Sequence, residues 1–466
     1  MAGVRVPLTA ADVAAMSGGR IVAGDPAVTP GGFSIDSRTI EPGQAFFAIV
    51  AARNGHAFVG DASARGAAMV VVSERVAAAV AGATVVEVAD TTRALQDVAR
   101  AVRRRSGARV VAITGSAGKT TTKEAMATLL EGRFSVVKNP GNLNNHLGLP
   151  LSLLGLRHGA EVAVMEFGMN HAGEIRTLVG IAEPDVRVWT NVGDAHIGHF
   201  RSVEALADAK GEILDAAGPD TLFVGNADDP RVMARAAGFP GRVVTFGCAP
   251  GADVRAVAVE EMGLEGTRAT VTTRVGEMEL QVPLYGRGNL ANVLCATAVA
   301  TELGVGLDEI VGGVAALRPA RRRGEVLRLS GHVTVVDDSY NSSPSALRQA
   351  LETLSRERQG HRRVAVLGEM LELGDRAVAL HEACGRAAAE AGLGLLITVG
   401  GEAARAMGRA AVAAGLAPSS VRHADSSAEA AELMAAAVAP GDVVLVKGSR
   451  GVKTDLVVDR LVAVCG

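Results

Sequence analysis

Residues 109–124 read RVVAITGSAGKTTTKE, a buried-type apolar run that enters a glycine loop and leaves it directly into an amphipathic helix pattern. Strand, loop and helix in that order demand an α/β fold with a parallel sheet, since such a loop works at the C-terminal edge of a strand. Backbone N–H groups of Gly115, Ser116, Ala117 and Gly118, with the helix N-terminus behind them, can face anionic oxygens. Glycines keep side chains out of the cradle. Lys119 is placed to neutralise β/γ-phosphate charge and Thr120 to ligand Mg²⁺ through its hydroxyl, and Thr121 beside them is counted among the nucleotide-binding residues. Position 113, five before Gly118, is Ile where the longer phosphate loop has Gly, so this is the short GxxGKT form. ATP binding follows; a glycine turn that merely joins strand to helix is the bland alternative, and the adjoining Lys-Thr argues against it.

The same alternation of short β-branched runs and longer Ala-rich stretches continues on the C-terminal side, with EVAVME at 161–166 and VRVWTN at 186–191. A second series, VTVVD at 333–337, RVAVLG at 363–368, LLITVG at 395–400 and DVVLVKG at 442–448, reads as a separate doubly wound sheet. Between the two series LRPARRRGE, at 317–325, has a proline and a charge run without apolar period, which suits a linker. The first hundred residues hold their own short strands, MVVVS and TVVEV, and the helix-like TTRALQDVARAVRRRS. The expectation for 466 residues is therefore three α/β domains. They are a small substrate-binding domain at 1–106, a central P-loop-type parallel-sheet ATPase domain at 107–318, and a Rossmann-like doubly wound domain at 319–466.

Composition removes several function classes. The 47 Lys+Arg nearly balance 50 Asp+Glu, so no broad positive surface for nucleic acid or an anionic membrane is expected. With 3% aromatic residues there is little to stack bases on. Cys248, Cys295, Cys384 and Cys465 are far apart with no CxxC pair, which fits a reducing, cytoplasmic setting. No signal-peptide pattern opens the chain, and its apolar runs are too short to span a bilayer. Nothing suggests a coiled coil, and a monomer is the expectation.

Three residues beyond the loop stand at strand ends or just after them. Glu166 closes the second strand, His196 follows the third in TNVGDAHIGHF, and Lys210 lies on the next helix pattern in ADAKGEI. A lone Glu, His or Lys is usually solvated or structural; a shared location at strand ends favours metal and catalytic roles. The segments TGSAGKTTTKE, NLNNHLGLPLSLL, MEFGMNHAGEI, TNVGDAHIGHF and AKGEI occur in the order found in Mur ligases, and the chain resembles that family. The resemblance implies that Glu166 and His196 bind magnesium bridging ATP and substrate, and that Lys210 is carbamylated by CO₂. An unmodified ammonium would repel Mg²⁺, whereas a carbamate helps offset it. After His196 the chain departs from the family pattern, reading Ile197-Gly198-His199-Phe200-Arg201-Ser202.

YGRGNLANVLCATAVA resembles the family's adenine-binding segment, with Asn289 and Asn292 on one helical face and Gly288 where the family usually has His. Two amides can read an adenine edge; equally, they can start a helix. In ARRRGEV the resemblance implies that Arg323 reaches ATP phosphate, the alternative being a solvated linker. VVDDSYNSSPSAL, LGEMLELG and KGSRGVKTD resemble segments of the branch that adds D-alanyl-D-alanine. They imply that Asp338 meets the nucleotide ribose and that Tyr340 and Asn341 line the amine site, though Asp, Asn, Ser and Pro are also ordinary turn formers.

Near the N-terminus, FSIDSRTIEPGQAFFAI and the NGH turn resemble the uridine-nucleotide-binding domain of the family. The matched positions are Ser34, Asp36, Ser37, Arg38, Asn54 and His56, where an Arg would suit a diphosphate. Asn142-Leu143-Asn144-Asn145 matches the stretch that contacts the muramoyl-peptide tail, or is a polar loop. Taken together, the resemblance implies a ligase that activates the carboxylate of UDP-N-acetylmuramoyl-tripeptide as an acyl phosphate and joins it to D-alanyl-D-alanine. A third-residue-adding sibling, a folylpolyglutamate-synthetase-like ligase, or a P-loop ATPase regulating a partner remain the alternatives.

Overall fold

The computed structural model describes residues 3–76, 80, 82–195, 197–357 and 362–466. His196 lies outside the described residues. Three sheets organise the rest, all mixed but mainly parallel.

The nine-stranded central sheet is built around Arg109–Thr114, which pairs in parallel with Val162–Glu166 on one side and Val186–Trp189 on the other. Val110, Val111, Ala112 and Ile113 are wholly buried, as expected for a parallel strand covered on both faces. The chain winds one way to reach Val136–Lys138 and Val162–Glu166, then the other way to Val186–Trp189, Leu222–Asn226 and Arg242–Gly247. Arg109–Thr114 therefore sits at the reversal of strand order. That is where open α/β sheets form a ligand crevice beyond their strand ends. The helix Lys119–Glu131 starts there.

The sheet then continues into an antiparallel meander, Val254–Glu261, Thr267–Thr273 and Gly276–Val282, that the sequence reading did not anticipate. Its last strand alternates buried and exposed residues along its length, because one face is solvated.

The six-stranded C-terminal sheet places Thr334–Asp338 beside Asp442–Lys447 in parallel, with Asp338 and Lys447 register partners at their C-terminal ends. Arg362–Gly368, Leu395–Val399 and Val421–Ala424 follow in order. The five-stranded N-terminal sheet has one antiparallel edge, Arg20–Ala23, and four parallel strands from Phe33 to Glu87.

Helix Thr91–Ser106 links that sheet to the central one. The Asp90 carboxylate caps it by accepting from Arg93 N–H at 3.0 Å, and Gly107 ends it with φ 63°. Its last-turn Arg103 donates to the carbonyls of Ala182 and Glu183 and pairs with Asp185 at 2.6 Å, tying the helix to the central sheet. The C-terminal sheet closes from the other side: Gly198 N–H donates to Glu372 O at 2.9 Å and the Tyr285 hydroxyl to Ala350 O at 3.1 Å. No helix among the described residues is long and apolar enough to cross a membrane.

Candidate active site

Where the central and C-terminal sheets turn their strand ends toward each other lies a cavity of about 1160 Å³. The phosphate loop forms part of its wall, and its shape is forced by contact. Gly115 has φ 150°, and a Cβ there would fall 1.9 Å from Thr190 Oγ1. Gly118 has φ 79°, and a Cβ there would lie 2.1 Å from Asn292 Oδ1. Only glycine fits either position. Asn191 holds the turn, its backbone carbonyl accepting from Ser116 N–H at 3.0 Å and its Oδ1 from Ala117 N–H at 2.9 Å. The N–H groups of Lys119, Thr120 and Thr121, being first-turn donors, have no intrahelical acceptor and are left for an anion.

Charge gathers at the same point. Lys119 Nζ donates to Gly115 O at 2.8 Å, and its pKa is lowered by burial and by nearby Arg323, with Glu166 opposing. Glu166, 5% exposed, accepts from the Thr120 hydroxyl at 2.7 Å through Oε2 and from Asn144 Nδ2 at 2.9 Å through Oε1. Lys210, 1% exposed, donates to the same Gly115 carbonyl at 3.2 Å. Burial first, and the Lys119 charge second, push its amine well below the ordinary lysine range. Among the described residues no cluster of three or more His, Cys, Asp or Glu could hold a metal.

On the helix Gly288–Glu302, Asn292 Nδ2 donates to Asn289 Oδ1 at 3.0 Å, and both side chains border the cavity. From the C-terminal sheet, Asp338 accepts from Lys447 Nζ at 2.6 Å, and the same ammonium reaches Asn341 O at 3.0 Å. The Tyr340 ring lies against two guanidinium groups, Arg323 at 4.1 Å from its centroid and Arg450 at 5.4 Å. Arg323 thus belongs to the cavity wall rather than to a solvated linker.

Ser34, Asp36, Ser37, Arg38, Asn54 and His56 do not line this cavity. Arg38 forks onto Asp36 at 2.9 and 2.6 Å, which holds the Asp36 carboxyl down at about 2. Ser34 Oγ accepts from Asp36 N–H at 3.1 Å, and Ser37 is buried. The His56 ring accepts from Ser73 N–H at Nε2 (2.8 Å), so Nδ1 carries the proton and donates to Asn54 Oδ1 at 2.7 Å. Asn145 Oδ1 accepts from the N–H groups of Leu147 and Gly148, holding the start of a short helix.

A nucleotide cradle facing a second sheet across one cavity is the arrangement of a two-substrate enzyme, and comparison with known proteins identifies which. The Mur ligase middle domain matches residues 113–300, and the Mur ligase glutamate ligase domain matches residues 322–450. The chain belongs to the Mur ligase family. It is 36% identical to the UDP-N-acetylmuramoyl-tripeptide–D-alanyl-D-alanine ligase of Mycobacterium bovis, over 99% of each chain. Among solved structures it is similar to MurF from Acinetobacter baumannii, with TM-score 0.88, 29% identity, and 98% of this chain and 99% of that one covered. MurF ligase from Thermotoga maritima in complex with ADP gives TM-score 0.80 at 29% identity, over 93% and 97% of the two chains.

Within this Mur ligase the sequence reading passed over several residues of the site. Asn191 stood inside a quoted motif, but its grip on the loop needed the neighbouring strand to be seen. Lys447 and Arg450 likewise lay in KGSRGVKTD without a role. Asn139, wholly buried behind Glu166, carried no sequence signal beyond that of an Asn-Pro turn.

Proposed function

We propose that this chain is the ATP-dependent ligase that adds D-alanyl-D-alanine to UDP-N-acetylmuramoyl-tripeptide in peptidoglycan precursor synthesis. The observation that carries this reading is the single cavity bordered by Lys119, Glu166 and Lys210 from the central sheet and by Asp338, Tyr340 and Lys447 from the C-terminal sheet. Relatives alike over nearly the whole chain carry that substrate pair in their names. The division of labour we infer is 1–106 for the uridine nucleotide, 107–318 for ATP and 319–466 for the dipeptide. Four free cysteines support a cytoplasmic setting, and we take the active form to be a monomer.

The Thr120 hydroxyl and the Glu166 carboxylate, 2.7 Å apart, form a donor set suited to Mg²⁺, which favours oxygen ligands shared with substrate phosphates. His196 would join them. When bound, the ion would offset negative charge on the transferring phosphoryl group. The chain's own groups do the rest. Lys119 and Arg323 hold the β/γ oxygens, while Asn289 and Asn292 face adenine and Asp338 the ribose. The terminal carboxylate of the tripeptide, steered by Asn144 and Asn145, attacks the γ-phosphorus; ADP leaves and an acyl phosphate forms. The neutral amine of D-alanyl-D-alanine, lodged by Tyr340 and Asn341, then attacks the acyl carbon. Cations around the cavity stabilise the tetrahedral oxyanion until inorganic phosphate departs. Lys210, whose amine pKa burial lowers, would add to CO₂ and lose a proton, giving a carbamate in place of a repelling ammonium.

Phosphate release measured with each of ATP, UDP-N-acetylmuramoyl-tripeptide and D-alanyl-D-alanine omitted in turn tests this. Dependence on all three is expected. Release that is indifferent to D-alanyl-D-alanine, or supported by a folate and glutamate instead, would overturn it.

A further inference from the structure

Glu166 is held from behind by a residue that the phosphate chemistry does not use. Asn139 is wholly buried, and its side chain grips the Glu166 peptide on both sides: Oδ1 accepts from Glu166 N–H at 2.9 Å, and Nδ2 donates to Glu166 O at 3.0 Å. The same Nδ2 reaches Leu143 O at 3.0 Å, in the loop whose Asn144 then holds the Glu166 carboxylate. Behind Asn139 stands Lys123, 1% exposed, which donates from Nζ to Asn139 O at 2.7 Å and pairs with Glu124 at 3.2 Å.

Lys123 lies on the phosphate-loop helix three residues after Thr120, so the two share a face. Thr120 reaches the Glu166 carboxylate, Asn139 holds the Glu166 main chain, and Lys123 holds Asn139, which closes a ring through the helix. A buried ammonium and a buried amide are each costly without partners, so this ring has one low-energy arrangement. Its effect is to set the distance between the carboxylate of one strand and the hydroxyl of another helix, two groups that have no direct covalent relation.

We propose that Asn139, anchored by Lys123, is a positioning residue that fixes the Glu166 carboxylate against Thr120 for binding of the metal–nucleotide complex. The proposal rests on Glu166 being a magnesium-binding group. Outer-layer partners of this kind tune metal affinity by roughly 10–100-fold, whereas simple stitching of a strand end would affect the nucleotide site as a whole.

Titration calorimetry of ADP into the full-length protein, with Mg²⁺ varied and with chelator, separates these. In Asn139→Asp, which keeps the shape but loses the two Nδ2 donations, the Mg²⁺ concentration giving half the metal-dependent gain in ADP affinity should rise roughly 10–100-fold. ADP affinity in chelator should stay at the wild-type value. Lys123→Met keeps the stem and its packing, and should shift in the same direction; it carries the test where Asn139→Asp fails to fold. The double variant should be no worse than the worse single, as for residues that act as one unit. Equal loss with and without metal, or an unchanged Mg²⁺ midpoint in the variants, overturns the positioning role. Glu166→Gln is the separate control: if it keeps the wild-type metal-dependent gain, it is the reading of Glu166 that fails.

Discussion

Lys119 and Lys210 aim their amine nitrogens at one acceptor, the carbonyl oxygen of Gly115, at 2.8 and 3.2 Å. Two ammonium ions that close, with Lys210 out of water, are mutually unfavourable. The conflict is relieved if Lys210 is neutral, and a neutral amine is the form that reacts with CO₂. Activity should therefore fall in CO₂-free buffer and return with bicarbonate. Lys210→Ala should be inactive and partly rescued by a short-chain carboxylic acid; full activity of the unrescued variant would sink the carbamate.

The same burial has a thermodynamic signature. In the unfolded chain Lys210 titrates near its usual 10.5, while in the native chain its value is well below this. Between the two, the unfolded state holds a proton that the native state has released, so stability rises with pH across that window. Lys210→Met removes the term. Urea unfolding under CO₂-free conditions should show the stability of wild type, relative to Lys210→Met, increasing as pH climbs toward 10.5. A difference that is flat with pH would place Lys210 in water when free of ligand.

Gly118→Ala puts a methyl group where Asn292 Oδ1 already sits and forces φ 79° on an L-residue. The backbone term alone is about 1–2 kcal/mol, and the clash must also push Asn292 off its contact with Asn289. ADP affinity by calorimetry should drop by at least roughly tenfold, given the same energies. Wild-type affinity would mean that the loop relaxes without cost.

How much of this was legible in advance depended on whether a residue's partner lay nearby in the chain. The strand Arg109–Thr114 and the loop after it could be read because a buried parallel strand is a continuous apolar run and the glycines announce the turn. The meander at 254–282 could not, since its half-solvated strands mix Glu, Arg and Thr with Val. Lys123, at the end of a Thr run, carries no local signal of its own, and its partner Asn139 comes from another loop. The Nε2 of His56 meets the N–H of Ser73, seventeen residues on, a contact that the local NGH turn does not announce. Such partners are set by tertiary contact, which no local pattern encodes.

Tyr340 lies between Arg323, which comes from the segment joining the central and C-terminal sheets, and Arg450, whose guanidinium also donates to its hydroxyl at 3.3 Å. Tyr340→Phe keeps the ring and should leave the KM for ATP within about twofold. Tyr340→Ala frees both guanidinium groups, and at about 0.5–1 kcal/mol for each of the two cation–π contacts the KM should rise roughly five- to thirtyfold. Steady-state kinetics of both variants checks this, and equal behaviour of Phe and Ala would show that the ring does not order Arg323.

Gly198 needs no unusual φ, so its demand for glycine is spatial. Its N–H donates to Glu372 O at 2.9 Å, a Cβ would fall 2.6 Å from that same oxygen, and its Cα lies 3.1 Å from where a Cβ on Gly374 would be. This is backbone against backbone across the two sheets, on the segment that follows Glu166 and His196 in the chain. A side chain here would hold the C-terminal sheet away from the phosphate loop, and a misplacement of about 1 Å in a two-substrate site can reduce rate by roughly 100-fold. Gly198→Val should therefore lower kcat by about that factor. Small-angle scattering with ADP bound should give a larger radius of gyration for the variant than for wild type. An unchanged radius together with wild-type kcat would show that the contact of Gly198 with Glu372 does not set the distance between the two sheets.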